Sequence, residues 1–171
     1  MTIKIAQAKL AEHRVKADIR PPLITLICDA SWCPTTNAGG WAIWWKSSAK
    51  SGKASGFFNT PFAKSYIAEA AAIVNGLHRA DAQGAQVLVQ TDCLSAISLL
   101  RDKPKPASGA DALMVWERFC SVSTHTGARV TFRHIKAHSG TDTPRTWVHD
   151  MLDQEARFQM RLRRHELKGA A

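Results

Sequence analysis

Apolar residues along this chain recur with two periods, and the changes from one to the other lay out its elements. Residues 23–28 read LITLIC, five apolar side chains and a threonine, β-branched at Ile24, Thr25 and Ile27. Such a run predicts a strand buried on both faces. It leads straight into Asp29, a carboxylate that is costly to desolvate unless something compensates it. Taken alone, Asp29 reads as the opening of a turn. Turn residues follow in ASWCPTTNAGG, then a second strand at 41–45, a polar turn at 46–53 and a third strand at 54–60 carrying Phe57 and Phe58. Short turns between them predict an antiparallel meander. Trp32, Trp41, Trp44 and Trp45 could stack on bases, but aromatic residues in strands mostly fill cores, and core is expected for at least two of them.

The period then becomes helical. Ser65 is the expected N-cap of a helix running to about Ala80, with Ile67, Ala70, Val74 and Leu77 on one stripe. Glu69 falls at the edge of that stripe beside Tyr66 and Ile73, aimed sideways toward the sheet. The plainer reading is a solvated acid that favours the helix dipole. A strand at 86–91, QVLVQT, again ends on an acid, Asp92, before a helical segment at 93–100. Ligands of open α/β sheets bind at such carboxyl ends. Residues 101–108 are a basic, proline-broken linker, and Ser108 with Asp111 resembles a capping box for a helix to about Val122. A strand at 128–135 places Val130, Phe132 and His134 on one face, and a loop containing His138 leads to a last helix at 147–164. That helix carries Val148, Leu152, Ala156 and Met160 at fourfold spacing, Asp153 beside them, and a strongly basic second half, Arg157, Arg161, Arg163 and Arg164.

Composition narrows the setting. The 171 residues suffice for one domain with its own core, and the formal net charge of +9 favours a polyanionic partner, nucleic acid first. Cys28, Cys33, Cys93 and Cys120 form no CxxC pair and are too sparse for a disulfide scaffold, so reduced thiols and a cytoplasmic location are expected. No apolar run nears the roughly 18 residues of a membrane span, and the start MTIKIAQAKLAEHR has no signal-peptide core. Residues 1–22, closed by Pro21 and Pro22, read as a flexible or helical extension, 23–166 as the catalytic domain and 167–171 as a tail.

Four fragments in order resemble the type 1 ribonuclease H family, and the match runs from Leu23 to about Arg164. They are DASWCPTTNAGGWA with its paired Gly39 and Gly40, SYIAEAAAI, QTDCLSA, and HIKAHSG followed by WVHDMLDQEAR. The resemblance implies a ribonuclease H-like α/β fold: a mixed five-stranded sheet, three antiparallel strands then parallel ones, flanked by helices. It implies an endonuclease that hydrolyses the RNA strand of RNA/DNA hybrids with two Mg²⁺ ions, or Mn²⁺, as a monomer. Asp29 would bridge the ions, with Glu69 and Asp92 toward the first and Asp153 toward the second, while His138 assists proton transfer or product departure. Electrostatics agree: two carboxylates about 4 Å apart repel by roughly 4 kcal/mol at an effective dielectric near 20, so four cannot converge without cations.

Other positions depart from the family. Ser65 and Leu94 stand where relatives carry amides that contact the hybrid, and Thr35 replaces an asparagine, though Asn37 is near. His149 stands where the family often has asparagine, which leaves open a neighbour of the site or a solvated residue. The segment between Asp92 and His138 is short for the family's basic protrusion. Ser31, Asn37 and Ser65, with Lys103, Lys105, Arg157 and Arg161 supplying charge, are the expected substrate contacts. Two alternatives remain: a DNA junction resolvase or other metal-dependent nuclease of the same fold, and a non-catalytic nucleic-acid-binding domain.

Overall fold

The computed structural model describes residues 21–136 and 143–169. The elements run β1 (Leu23–Trp32), β2 (Gly39–Lys46), β3 (Ser51–Phe57), α1 (Ser65–Arg79), β4 (Gln86–Thr91), α2 (Leu94–Arg101), a 3₁₀ turn (Pro106–Ser108), α3 (Ala110–Thr126), β5 (Arg129–His134) and α4 (Pro144–Gly169). The five strands order as β3-β2-β1-β4-β5, antiparallel among β1, β2 and β3 and parallel from β1 through β4 to β5. This is the mixed sheet that the resemblance implied.

β1 is the middle strand, and its alternation divides the core between two faces. Leu26 and Cys28, with Ile43, Val87 and Val89, pack against Ile67, Ile73 and Leu77 of α1 and Val115 of α3. Ile27 points the other way, joining Ala42 beneath Val148, Leu152 and Ala156 of α4. All four tryptophans rest against these cores, Trp41 buried and Trp32, Trp44 and Trp45 partly so. The four cysteines are free. Among the described residues no helix is long and apolar enough to cross a membrane.

Several boundaries differ from those read in the sequence. β1 does not stop at Asp29: β2 returns alongside and pairs Asp29 with Ala42 and Trp32 with Gly39, so the acid lies within the ladder. β3 lies three residues before the expected 54–60, because Ser47 closes a tight turn, its N–H donating to the Lys50 carbonyl and its hydroxyl accepting from the Lys50 N–H. Phe58 then leaves the strand to pack edge-on against Phe62. Lys64, not Ser65, holds the cap position of α1, without a side-chain cap. No capping box forms at Ser108. Gly109 precedes α3, and Asp111 instead accepts the Ala63 N–H at 2.8 Å, tying the helix to the segment before α1. α4 overruns the expected helix at both ends and takes in the first three residues of the expected tail.

The long helix can sit on the sheet only because Gly40 has no side chain. A Cβ there would run into the Ala156 carbonyl oxygen and the Met160 amide nitrogen, both main-chain atoms that cannot swing aside. Gly40→Ala must therefore push α4 off β2, and destabilisation of about 2 kcal/mol or more is expected in urea unfolding.

Candidate functional site

Asp29 projects from the same face of β1 as Ile27, beneath α4, and is 5% exposed. The parallel register pairs Ile27 with Gln90, so two residues further along each strand Asp29 comes level with Asp92. Asp92 directly follows β4, where the Thr91 hydroxyl accepts the Cys93 N–H at 3.2 Å. On the outer side, His134 Nε2 lies 3.0 Å from the Asp92 carbonyl oxygen, fixing the backbone at this corner.

α4 delivers a third group. His149 is 4% exposed, with Nε2 3.7 Å from Asp29 Oδ1 and 3.7 Å from Asp92 Oδ2. At that separation neither contact is a hydrogen bond. One ligand atom from each of Asp29, Asp92 and His149 lies within 4.8 Å of the others, a spacing that can hold a metal ion. One turn later on α4, Asp153 is held by Arg157, Nε to Oδ1 at 2.9 Å. Glu69 approaches from α1 past the Ala30 backbone, whose N–H partly offsets its burial.

The electrostatics show crowding without enough cation. Burial pushes the Asp29 carboxyl up to about 7, with Asp92 and Asp153 adding repulsion and His149 opposing it. Glu69 is raised well above the usual range, first by burial and then by Asp29 and Asp92. Asp92, more exposed, is lowered by its His149 neighbour, and His149 is raised mainly by Asp92 against its own desolvation. Among the described residues Asp29 Oδ2, Glu69 Oε2 and His149 Nε2 are buried without hydrogen-bond partners. Each unpaired buried polar atom costs roughly 1–3 kcal/mol, so their convergence suits a ligand-binding centre better than a structural contact.

The other candidates are dispersed. Ser31 pairs with Gly40 two residues beyond Asp29. Ser65 is exposed at the start of α1. Asn37, at positive φ, lines a cleft with Arg163 and Leu167 at the far end of α4. Lys103 lies over the Trp116 ring, and Lys105 and Arg161 are exposed. His138 lies outside the described residues. Sequence reading left His149 open and gave His134 no role at the site. A signal for His149 existed, since it shares the inward stripe with Leu152 and Ala156 at spacings of three and seven.

No family model matches the chain, and no curated protein matches it in sequence. Solved structures do resemble it. The N-terminal ribonuclease H domain of rv2228c from Mycobacterium tuberculosis, solved as a fusion with maltose-binding protein, superposes with a TM-score of 0.65 over 88% of this chain and 99% of that one, at 13% identity. LC9-RNase H1, described as a type 1 enzyme with the type 2 active-site motif, gives 0.61 over 84% and 76%, at 15% identity. LC11-RNase H1 in complex with RNA/DNA hybrid gives 0.60 over 78% and 95%, at 13% identity. The chain has the ribonuclease H-like fold.

Without metal, the site should oppose folding as pH rises. The native Asp29 carboxyl titrates near 7, above its unfolded value, so its ionisation removes stability between about pH 4 and 7, and the raised His149 loses its own contribution in the same direction. In chelator the melting temperature should fall from pH 5.5 to 8. Asp29→Asn should recover on the order of 1–3 kcal/mol at pH 8, read by thermal unfolding.

Proposed function

We propose that this chain, folded as a ribonuclease H-like domain, is an endonuclease that hydrolyses the RNA strand of RNA/DNA hybrids using two divalent ions, Mg²⁺ or Mn²⁺. The carrying observation is that two carboxylate oxygens, Asp29 Oδ2 and Glu69 Oε2, are buried without partners in a site whose acids repel one another. That donor set fits hard cations, which take carboxylate oxygen and keep waters for substrate to displace. Asp29, Glu69, Asp92 and Asp153 would hold the ions. When bound there, such ions would supply a more acidic water and charge stabilisation for displacement at a phosphodiester.

The chain's own residues supply position and charge. The β1 backbone, paired on both sides near Asp29, keeps that carboxylate from swinging away as substrate arrives. Asp92 is set by the parallel register and by His134 on its carbonyl. Arg157 pairs with Asp153 one turn along the same helix, Nε to Oδ1 at 2.9 Å. His138, which lies between β5 and α4 in the sequence, would carry a proton toward the leaving oxygen or ease product departure. The net charge of +9, with Arg161, Lys103 and Lys105 exposed, suits a duplex phosphate backbone. Ser31, Asn37 and Ser65 are the proposed sugar and base contacts, through which the 2′-hydroxyl would be sensed.

Matched hybrid, duplex DNA, duplex RNA and a four-way DNA junction, each incubated with Mg²⁺ or Mn²⁺, test this reading. Cleavage of the RNA strand in the hybrid alone is expected, falling at least about a thousandfold in Asp29→Asn or Asp92→Asn with the fold intact by circular dichroism. Cutting confined to the junction would make the protein a resolvase, and binding without cutting any substrate would make it a non-catalytic module.

A further inference from the structure

His149 is the one imidazole placed against the acids among the described residues of α4, and its setting is that of a ligand. Its ring is buried, its Nε2 has no hydrogen-bond partner, and that atom stands 3.7 Å from one oxygen of each of the two acids on adjacent strands. Ligand atoms sharing one ion at bonds of about 2.1 Å lie roughly 3 to 4.2 Å apart, so both spacings fall within the reach of a single coordination shell. A histidine that merely filled space at this depth would be expected to hydrogen-bond through both nitrogens. Here the unpartnered atom faces Asp29 and Asp92.

We propose that His149 Nε2 is a metal ligand, completing with Asp29 and Asp92 a mixed nitrogen and oxygen site that selects a first-row transition ion over Mg²⁺. The inference rests on the nuclease reading only for what the ion does once bound. Its chemistry follows from the donor set: carboxylate and water suit Mg²⁺, whereas imidazole adds affinity for transition ions and little for Mg²⁺. Placement comes from α4, which carries His149 and Asp153 one turn apart and so offers a nitrogen and an oxygen donor from one helix face. Leu152, 2% exposed, and Val148 and Ala156 pack on Ile27 and Ala42 beside it and hold the ring where it is.

Mn²⁺ serves as the probe because it is paramagnetic. In the full chain, Mn²⁺ titrated by electron paramagnetic resonance should bind at least about tenfold more tightly than Mg²⁺ measured by competition, with ¹⁴N modulation from one imidazole in the pulsed spectrum. His149→Asn should lose that modulation and weaken Mn²⁺ binding about tenfold or more while Mg²⁺ changes less than about threefold. His149→Gln checks that the loss is not general unfolding, provided its circular dichroism matches wild type. Mn²⁺ bound without ¹⁴N modulation, or equal weakening of both ions, overturns the inference even where hybrid cleavage persists. Mn²⁺ bound with the modulation in a protein that cuts none of the four nucleic acids upholds the ligand and removes the nuclease reading instead. Failure of wild type to bind either ion overturns both.

Discussion

The central constraint on this structure is repulsion among carboxylates brought to the middle of a sheet. Asp29 is buried within the central strand, Glu69 reaches it from α1, Asp92 lies alongside at the end of β4, and Asp153 acts on it from α4. A fold selected only for stability would place none of these acids so, because burial and mutual repulsion raise Asp29 and Glu69 far above ordinary carboxyls. The cost is tolerable because the apolar cores on both sides of β1 are extensive and need nothing from the acids. Site and core are thus opposed in energy but share one scaffold.

That scaffold holds the acids through backbone pairing. Asp29 is paired with Ala42 of the antiparallel β2, and the parallel ladder with β4 reaches Ile27, two residues before it, so its main chain is held from one side at Asp29 and from both just before it. α4 must come close to the sheet for His149 and Asp153 to arrive, and the bare Cα of Gly40 permits it. The apolar contacts of Val148, Leu152 and Ala156 then set the rotation of the helix, which decides which of its polar residues turn inward. Packing on one face of the sheet in this way determines the chemistry at the carboxyl ends of its inner strands.

The inward residue that results is an imidazole. His149 supplies part of the positive charge the acids lack, pulling Asp92 down while leaving Asp29 and Glu69 raised. One ring between two acids does not satisfy the cluster, and buried oxygens remain without partners. The same ring that relieves the metal-free protein is available as a ligand when cations enter. Its two roles draw on one placement.

Much of this was legible along the chain. The run LITLIC specified a central strand, QVLVQT was delimited to the residue, and the apolar stripes of α1 and α4 gave their buried faces, since these signals depend on local periodicity. The order of elements and the acid-bearing fragments sufficed for the fold. Other features are set by partners distant in sequence. Asp29 reads as a turn residue until β2 pairs with it, and Ser108 with Asp111 reads as a cap until Ala63 claims the carboxylate. His149 lies on the apolar stripe of its helix, where a ring can simply fill space, and only the docking of α4 over Gly40 turns it between Asp29 and Asp92. The sequence by itself determined which acids exist and which elements carry them. The tertiary structure alone decided which groups meet, because strand register and helix rotation are fixed by contacts between segments far apart in the chain.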